Sequence, residues 1–480
     1  MDNVIYHKLS LDPNKAYYLY VGELRSASLC ETLAEPLSSY YQKRTEQISI
    51  VQDVRRFYHN NNVIVINRDA KNLFKKTGKC CHIKIKNEDF LSQISESELL
   101  KNIFERILRH QSEIVVNVYE NNINSPFQNK DKFKVISPNP QLSVKYNNKI
   151  LQYEMAENIG IPVMPNQKCE SLEEVTHLFK NDKRFKKKAF VTENYSAGGS
   201  NSLIVKSPED LKLFKETNNV PYLIVKFLSS KKYDPTALAV IANEDEILVV
   251  SINDQFLKNT SWKSSIFPSC VSPEIKKKIV KYTIKIGKEM AKDGYRGLFG
   301  VDYMIDRKEN IYFVEINARK QGSSTETAFT MQNFFGNEVC LPELETNAVW
   351  KSSFNFDIER LIKNDNLLSP RNFNWGMYWV KLFGPIKVVK EIPQYARSNE
   401  DLFLKYHVYE RYRKPTMIIS DFLGRDTYLS YGFLGKVTSV NSSRKTVVSE
   451  LRKGKRILLK SYEEVDDQEI PKPTGFVIPA

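Results

Sequence analysis

A predicted β-hairpin constrains this chain more than any other feature, because it brings acidic side chains together. Residues 298–306 and 311–318 have strand patterns, and a polar turn of four residues joins them. In the register that this turn favours, Asp302 lies opposite Glu315, with about 4.5–5.5 Å between their Cβ atoms. Asn317 shares their face because it follows Glu315 by two residues. The hairpin therefore predicts two carboxylates and an amide on one surface.

These oxygen-bearing side chains suit a cation. Like charges directly opposite each other destabilise a strand pair, so we expect a cation to offset them. Oxygen ligands without His or Cys favour Mg²⁺, which commonly binds one or two carboxylates together with substrate phosphates. Asp302, Glu315 and Asn317 are therefore candidate Mg²⁺ ligands. An ordinary exposed hairpin with acidic residues on its solvent face would explain the same spacing.

Two large apolar residues accompany the acidic pair. The same register pairs Met304 directly with Phe313 and places both on the acidic face rather than on the core face. Large apolar groups beside paired carboxylates are unusual on a solvent-facing strand. A nucleotide whose base covers them would explain the arrangement. We therefore predict that Met304 contacts adenine, with Phe313 beside it.

Length and composition indicate ordinary globular material. The 480 residues, 41% hydrophobic and 27% charged, are enough for about three domains. No apolar run approaches the ~18 residues of a transmembrane helix, and no signal peptide is expected from the first residues. The six cysteines include no C-x-x-C motif. We expect reduced thiols and a cytoplasmic protein.

The net charge of +14 indicates either a lysine-rich solvated surface or an attraction for anions. Suitable anions are a nucleotide, an acidic substrate or an acidic carrier protein. Lys and Arg are spread through the chain without a nucleic-acid-binding signature. We therefore expect neither a nucleic acid nor a membrane as partner.

The order of patterns predicts a mixed fold, α/β and α+β. Residues 1–120 alternate apolar runs with amphipathic segments, which predicts a parallel α/β domain. Residues 121–140 are polar and proline-containing and are interpreted as a linker. Residues 253–272 are predicted to be an irregular polar loop. Residues 341–480 form a further mixed α/β region, which contains no metal or nucleophile constellation.

A loop of small residues lies between two predicted antiparallel strands. It contains, in order, Ser196, Ala197, Gly198, Gly199 and Ser200. Glycines let backbone N–H groups approach a phosphate closely, and serines add hydrogen-bond donors. Hairpin geometry alone would also explain the two glycines.

Residues 145–330 resemble an ATP-grasp domain, as found in D-alanine–D-alanine ligase and biotin carboxylase. The resemblance rests on Asp302 with the E-I-N motif ending at Asn317, on Lys149 in N-K-I-L-Q-Y-E-M-A-E-N-I-G-I-P, and on the S-A-G-G-S loop. It implies an ATP-grasp fold at 141–340, preceded by the N-terminal α/β domain. It also implies ATP and two Mg²⁺ ions, with Lys149 at the α-phosphate and the loop closing over the phosphates.

Further site residues follow only from the resemblance. Backbone groups of Lys226, Phe227 and Leu228 would read the edge of the base, and Asp234 would contact the ribose. Arg319 stands where biotin carboxylase has an arginine facing the substrate, and it is the candidate catalytic residue. The pocket of the second substrate would be shaped by the next residues, Gln321, Gly322, Ser323 and Ser324.

The chain also departs from the family pattern. Thr192 occupies the position of a second phosphate-binding lysine, and Lys188 lies roughly 13 Å away along the strand. Lys226 stands where many members have an acidic residue. A further basic phosphate contact falls on either Lys258 or Lys263.

The resemblance implies an ADP-forming ligase that activates a carboxylate as an acyl phosphate and couples it to an amine. Ligases that make peptides, modified amino acids or antibiotic precursors are the most similar in character. One alternative keeps the chemistry but loads an amino acid onto the thiol of a carrier protein. Another is a nucleotide-binding protein without catalysis, which the change at Thr192 suggests.

Overall fold

A computed structural model describes residues 3–52, 62–129, 131–196, 201–214, 220–258, 261–336, 339–355, 358–363, 367–392, 416–466 and 470. Its strands are β1 Val4–Lys8, β2 Ala16–Gly22, β3 Thr45–Val51, β4 Val63–Ile66, β5 Cys80–His82, β6 Ile114–Val118, β7 Phe133–Ile136, β8 Asn166–Cys169, β9 Ala189–Glu193, β10 Ser202–Val205, β11 Tyr222–Lys226, β12 Lys231–Tyr233, β13 Pro235–Ile241, β14 Ile247–Lys258, β15 Ser261–Phe267, β16 Gly297–Asp306, β17 Ile311–Asn317, β18 Asn374–Val388, β19 Thr416–Ser420, β20 Thr427–Asn441 and β21 Tyr462–Glu464.

The α-helices are α1 Ala34–Tyr41, α2 Arg68–Thr77, α3 Asn87–Glu96, α4 Glu98–Leu108, α5 Pro140–Asn147, α6 Lys149–Asn158, α7 Leu172–Asn181, α8 Pro273–Lys292, α9 Ser324–Phe335, α10 Leu341–Lys351, α11 Ile358–Ile362 and α12 Arg444–Leu459. Two 3₁₀ helices span Leu24–Leu33 and Pro208–Leu213. Of the described helices, none combines the length and the apolar composition needed to cross a membrane.

The N-terminal domain is the predicted parallel α/β sheet. Its strand order is β1-β4-β3-β2-β6-β7, and every pairing is parallel except that of β1 with β4. Helices and loops cover both faces, so β2 and β6 are buried along their whole length.

The predicted linker at 121–140 is wrong in part. Phe133–Ile136 form β7, which pairs with β6 and completes the sheet. Phe133 and Ile136 are buried and Val135 packs against the core, so three apolar side chains anchor this strand in a polar stretch. Asn139 ends the segment and caps α5, because its side chain accepts hydrogen bonds from Gln141 N and Leu142 N.

A small antiparallel sheet, in the order β10-β9-β11-β8, follows in the chain. Its apolar face packs against α7 and the 3₁₀ helix at Pro208–Leu213, in a core that includes Phe179 and Ile224. The sheet carries Thr192 on β9 and Lys226 at the end of β11.

The largest sheet contains the hairpin of β16 and β17. Its order is β12-β16-β13-β14-β15-β18-β20-β19, with β17 on β16, β21 on β18 and β5 on β20. The apolar stripe of α8, which includes Ile275, Ile279 and Met290, packs on one face. Because β15 pairs with β18, the sheet runs without interruption into the region after residue 341.

The predicted irregular loop at 253–272 is wrong. Most of it belongs to the hairpin of β14 and β15, which pair from Asp254↔Ile266 to Lys258↔Ser261. The buried polar residues of these strands, such as Asn253, Ser264 and Ser265, hid the strand pattern. The hairpin places these polar residues in the large sheet, where β13 separates it from β16.

Candidate functional site

Asp302 lies opposite Glu315, as the sequence predicts. Asn317 lies opposite Gly300, and its Nδ2 donates to Asp302 Oδ2 over 3.3 Å. The hairpin therefore brings the two carboxylates and the amide together. We call Asp302 and Glu315 the carboxylate pair.

The predicted pairing of Met304 with Phe313 is wrong. The register shifts between Asp302 and Tyr303, so that Met304 lies opposite Tyr312 and Phe313 lies opposite Tyr303. Phe313 is fully buried, with its ring centroid 5.6 Å from that of Tyr153. It faces the apolar core and not the carboxylates. Met304 remains partly exposed on the acidic face.

Lys149 forms an ion pair with Glu315 through its Nζ. Helix α6 holds the lysine in place because Gln152, one turn further on, binds the backbone of β17. Gln152 Oε1 accepts from Ile316 N over 2.8 Å, and Gln152 Nε2 donates to Ile316 O over 2.9 Å. The side chain of Lys149 is only 9% exposed, so its ammonium is fixed at the carboxylate pair.

The carboxylate pair titrates abnormally. Burial, followed by the charge of Glu315, raises the pKa of Asp302 to about 7. Burial also disfavours the charged form of Glu315, but the ammonium of Lys149, the charge of Arg319 and a hydrogen bond with Asp302 together hold the pKa of Glu315 below its ordinary value. Two carboxylates this close resist ionising together unless a cation joins them.

The side chains present fit Mg²⁺. Gln255, on β14, donates from Nε2 to Asp302 Oδ1 over 2.7 Å and adds another amide to the site. Among the described residues, no three His, Cys, Asp or Glu side chains cluster as a metal site. An ion at the carboxylate pair would therefore need further oxygen ligands, which is the common situation for Mg²⁺ held with substrate phosphates.

The candidate catalytic residue, Arg319, lies beside the pair. Its Nη1 donates to Asn317 Oδ1 over 3.0 Å, and its Nε lies 3.5 Å from Glu120 Oε2. Glu120 follows β6, so the N-terminal domain helps to orient the guanidinium. The positive charge of Arg319 also helps to hold the pKa of Glu315 down, after the larger effect of Lys149.

The predicted phosphate loop is described only at its first residue. Ser196 Oγ lies 2.9 Å from Thr192 Oγ1, and Ser202 Oγ lies 2.8 Å from the same atom. Ala197, Gly198, Gly199 and Ser200 lie outside the described residues. Thr192 is buried among these hydroxyls at the base of the loop.

Lys188 does not replace the missing lysine, because its Nζ lies 3.6 Å from the ring centroid of Phe227. This cation–π contact places it at the segment predicted to read the base. Lys226 is exposed, and its N–H donates to Pro165 O over 2.8 Å, so that N–H already has a partner within the protein. The remaining backbone groups of Lys226, Phe227 and Leu228 stay candidates.

The other predicted nucleotide contacts lie on or beside strands of the largest sheet. Asp234 forms an ion pair of 2.7 Å with Lys231, and burial raises its pKa. Its Oδ1 is buried without a hydrogen-bond partner among the described residues. Lys258 is exposed at the end of β14. Burial, and then the charges of Lys258 and Lys455, lower the pKa of Lys263 to about 8.

The predicted acceptor segment lies against the acidic face. A Cβ built on Gly300 would come within 2.0 Å of Gln321 Nε2, so the glycine makes room for this side chain. Gln321 Nε2 donates to Thr236 Oγ1 over 3.1 Å, and Thr236 lies opposite Asp302 on β13. A Cβ built on Gly322 would lie 3.0 Å from Trp262 Cη2, so this glycine lies close to the indole ring.

Sequence reasoning missed Gln255, Thr236 and Trp262. They lie on β14, β13 and β15 respectively, between 40 and 66 residues before Asp302 in the sequence. No local motif marks them. The pairing of these strands alone brings them to the acidic face.

Comparison with known proteins gives a consistent picture. Residues 146–323 match the ATP-grasp domain family. Mitochondrial pyruvate carboxylase of Rattus norvegicus is 24% identical over 208 residues, which cover 40% of this chain and 17% of the enzyme. The L-propargylglycine–L-glutamate ligase of Streptantibioticus cattleyicolor is 28% identical over 102 residues, 21% of each chain. This chain thus spans about a fifth of the length of either relative.

A solved structure extends the likeness of fold over nearly the whole chain. It is the biotin carboxylase domain of 2-oxoglutarate carboxylase from Hydrogenobacter thermophilus, in complex with MgADP, ADP and bicarbonate. It superposes with a TM-score of 0.59 at 14% identity and covers 94% of this chain and 90% of that chain. The shared fold therefore extends into the described part of the region after residue 341.

Proposed function

We propose that the protein is an ATP- and Mg²⁺-dependent ligase that joins a carboxylate to an amine, because residues 146–323 match the ATP-grasp domain family. The similar ligase of S. cattleyicolor joins two amino acids by its name, and the similar carboxylase domain was solved with MgADP and bicarbonate.

One observation carries the proposal. Asp302 and Glu315 lie opposite each other, and Lys149, Asn317 and Arg319 surround them. A purely structural hairpin has no need for opposed carboxylates that resist joint ionisation. Asp302, Glu315 and Asn317 would hold Mg²⁺, which supplies positive charge that offsets the charge of the phosphate oxygens. The ammonium of Lys149 lies close enough to the pair to bind a phosphate oxygen as well.

The chain's own residues then position the reactants. Lys149 and Ser196 hold the phosphates, and Met304 supports the base. A substrate carboxylate attacks the γ-phosphorus of ATP, which gives an acyl phosphate and ADP. Arg319 orients the carboxylate and offsets the charge of the acyl phosphate. An amine then attacks the acyl carbon, and phosphate leaves.

A peptide or modified-amino-acid product is the finer form of the proposal, supported by the resemblance to the S. cattleyicolor ligase. Transfer to a carrier-protein thiol is supported only by the net charge of +14. A binding role without catalysis is favoured by one observation. The buried hydroxyl of Thr192 stands where relatives use a lysine, which removes one phosphate contact.

ATP-dependent trapping of the acyl phosphate tests the proposal. The protein is incubated with ATP, Mg²⁺, hydroxylamine and the standard amino acids in pools. A ligase forms ADP and an acyl hydroxamate with at least one pool, and omitting Mg²⁺ abolishes both products. ATP binding without either product, in every pool and with an acyl carrier protein added, would show a binding protein instead.

A further inference from the structure

Trp262 is a half-buried aromatic residue of β15 that lies against the predicted acceptor segment. A Cβ built on Gly322 would lie 3.0 Å from its Cη2. Its Nε1 donates to Ser265 Oγ over 3.2 Å, and a cluster of buried side chains that includes Phe267 and Trp375 packs against the ring. These contacts hold the indole in one position, with part of its surface exposed.

One chain of contacts joins Trp262 to the carboxylate pair across the sheet. Ser265, its hydrogen-bond partner, lies opposite Gln255 on β14. Gln255 Nε2 in turn donates to Asp302 Oδ1 over 2.7 Å. Directly opposed residues share one face of a sheet, so Ser265 and Gln255 both lie on the face of Asp302. The indole therefore belongs to the acidic face.

A second chain of contacts joins the same two ends. Gly322, which lies against the indole, follows Gln321 in the sequence. Gln321 Nε2 donates to Thr236 Oγ1 over 3.1 Å, and Thr236 lies opposite Asp302. The two chains enclose one strip of the surface between Trp262 and Asp302. We call its residues the neutral strip: Thr236, Gln255, Ser265, Gln321 and Gly322.

The neutral strip has the length of a small substrate. It crosses three strand spacings, from β16 over β13 and β14 to β15. Adjacent strands lie about 4.8 Å apart, so roughly 14 Å separates the backbones at its two ends. The side chains of Asp302 and Trp262 reach into this span from either end. The remaining gap matches a molecule of amino-acid size.

The two faces of β15 have different neighbours. A Cβ on Gly376 would meet Val447 of α12 and Ile266 together, so Ile266 faces α12. Phe267 belongs to the cluster that Phe329 of α9 joins, so it faces α9. Helix α12 and the neutral strip therefore lie on opposite faces of the sheet.

Lys263, the neighbour of Trp262 in the sequence, lies on the α12 face. The pairings of β15 with β14 skip this residue, which marks a bulge. The pKa of Lys263 is lowered first by burial and then by the charges of Lys258 and Lys455, and Lys455 belongs to α12. The five residues of the neutral strip are all uncharged. A charged side chain of a substrate would therefore find no counter-ion among them.

An exposed leucine extends the apolar surface of the indole. Leu257 pairs directly with Trp262 and is 42% exposed. It follows Gln255 by two residues on β14 and so shares its face. Small-molecule sites combine apolar and aromatic walls with a few polar groups that fix orientation. Trp262 and Leu257 form such a wall, and the neutral strip supplies the polar groups.

The base of the nucleotide does not account for this wall. Met304, the proposed base contact, lies two residues from Asp302 along β16. Trp262 instead lies across the sheet from Asp302, on β15. The wall and the proposed base contact therefore lie in different directions from the carboxylate pair, which leaves the wall to a small substrate.

We propose that Trp262 and Leu257 bind an apolar side chain of one of the two small substrates, and that Trp262 determines specificity for it. This inference rests on the proposed ligase function. The polar groups of the neutral strip orient that substrate so that its reacting group lies at the carboxylate pair. The preferred substrate is an amino acid with a large apolar side chain.

Single amino acids in place of the pools test this specificity. In the hydroxylamine assay each amino acid is offered as the carboxylate substrate. In the coupling assay each is offered as the amine, together with the carboxylate that the pools identify. The wild type should prefer leucine, methionine or phenylalanine to glycine, aspartate and lysine in at least one assay.

Trp262→Ala should lower kcat/KM for the preferred apolar substrate at least about tenfold, mainly through KM, because even one methylene in an apolar pocket changes kcat/KM by about tenfold or more. The value for the smallest amino acid that the wild type accepts should change much less, and the KM of ATP should stay the same. Trp262→Phe should restore most of the loss, since it keeps an aromatic wall.

The two assays identify which substrate carries the apolar group. A selective loss in the hydroxylamine assay assigns it to the carboxylate substrate, because no amino acid serves as the amine there. A normal rate of hydroxamate formation with a selective loss in coupling assigns it to the amine. Either result supports the inference.

Trp350→Ala is the matched control. Trp350, on α10, is also half-buried, and its Nε1 donates to Val135 O over 3.2 Å. This variant should lose thermal stability but keep the wild-type ratio of kcat/KM between large and small substrates.

If Trp262→Ala fails to fold, a pair of exposed neighbours replaces it. Leu257→Ala should lower kcat/KM for the apolar substrate at least about threefold, because it removes part of the wall. Phe256→Ala should leave it unchanged, because Phe256 is 47% exposed on the opposite face.

A wild type that prefers small or charged side chains in both assays would overturn the inference. Equal changes for large and small substrates in Trp262→Ala, or no change for either, would also overturn it and leave the proposed function intact. Absence of hydroxamate from the wild type with every pool would instead refute the proposed function, and the inference with it.

Discussion

Met304 lies opposite Tyr312 in the hairpin that carries the carboxylate pair. Two residues away, Asp302 lies opposite Glu315, so β17 has one extra residue, Val314, between these two pairings. Such a bulge keeps the carboxylates and Met304 on one face and turns Phe313 into the core. The acidic face therefore has a floor of Met304 and Tyr312 beside its charges.

The first prediction concerns this floor. Met304→Ala should weaken ATP binding by about 1–3 kcal/mol, because a base that rests on Met304 loses its apolar contact. The dissociation constant from calorimetry checks this. Phe313→Leu is the control, since Phe313 faces the core. It should lower the free energy of unfolding by about 1 kcal/mol and leave ATP affinity unchanged. Equal ATP affinity of Met304→Ala and wild type would remove Met304 from the base site.

A second prediction concerns Lys149. Lys149→Ala should weaken ATP binding roughly 10- to 100-fold, because a charge-assisted hydrogen bond contributes about 1.5–3 kcal/mol. The KM of the amine substrate should change much less. Lys145→Ala, which removes an exposed ion pair with Asp293 one helix earlier, is the matched control and should alter neither value. Equal effects of Lys149→Ala on both substrates would show that Lys149 is not a nucleotide contact.

The abnormal titration of Asp302 gives a third prediction. Its pKa of about 7 in the folded protein lies above the value of about 3.9 in an unfolded chain. Between these values the folded state binds more protons, so this group lowers the free energy of unfolding as pH rises from about 4 to 7. The slope is at most about 1.4 kcal/mol per pH unit.

Asp302→Asn should remove this contribution of Asp302 to the pH dependence of the free energy of unfolding. Relative to the wild type without Mg²⁺, the variant should gain thermal stability as the pH rises from about 5 to 8. Melting curves of both proteins across that range check the sign. If the difference in melting temperature between variant and wild type stays constant with pH, Asp302 is ionised throughout and the two carboxylates are not held together.

A fourth prediction tests the contact of Gly300 with Gln321. Gly300→Ala should push the flexible end of Gln321 away from Thr236, because the new Cβ would meet it at 2.0 Å. The melting temperature should change little, while the KM of the carboxylate or of the amine substrate should rise. Gln321→Ala should cause a similar KM change, and the double variant should be no worse than either single one. Additive KM effects would show that the two residues act separately.

Sequence reasoning was sufficient wherever a local pattern carried the structure. The turn of the hairpin and the spacing of Asp302 and Glu315 give the carboxylate pair, and the apolar runs before residue 120 give the parallel sheet. The bulge at Val314 was not predictable from alternation, because Val, Phe and Tyr all suit either face of a strand.

The other features that the sequence did not predict share a physical cause, because contacts between distant parts of the chain determine them. Polar β14 and β15 are strands because β13 and β18 pair with them on either side. Gly454 lies inside α12, where a Cβ would come within 2.3 Å of Val437 Cγ1. The helix needs the glycine for its close approach to β20, and no local signal shows that approach.

Calorimetric titration with ATP, with Mg²⁺ or with EDTA, tests the central claim that the carboxylate pair holds Mg²⁺ with the nucleotide. The wild type should bind ATP at least about tenfold more tightly with Mg²⁺, a gain of about 1.4 kcal/mol. Glu315→Gln should lose that gain, whereas Glu309→Gln, which removes the same charge at the exposed turn, should keep it. A Glu315→Gln variant that kept the full Mg²⁺-dependent gain would contradict the assignment of the pair.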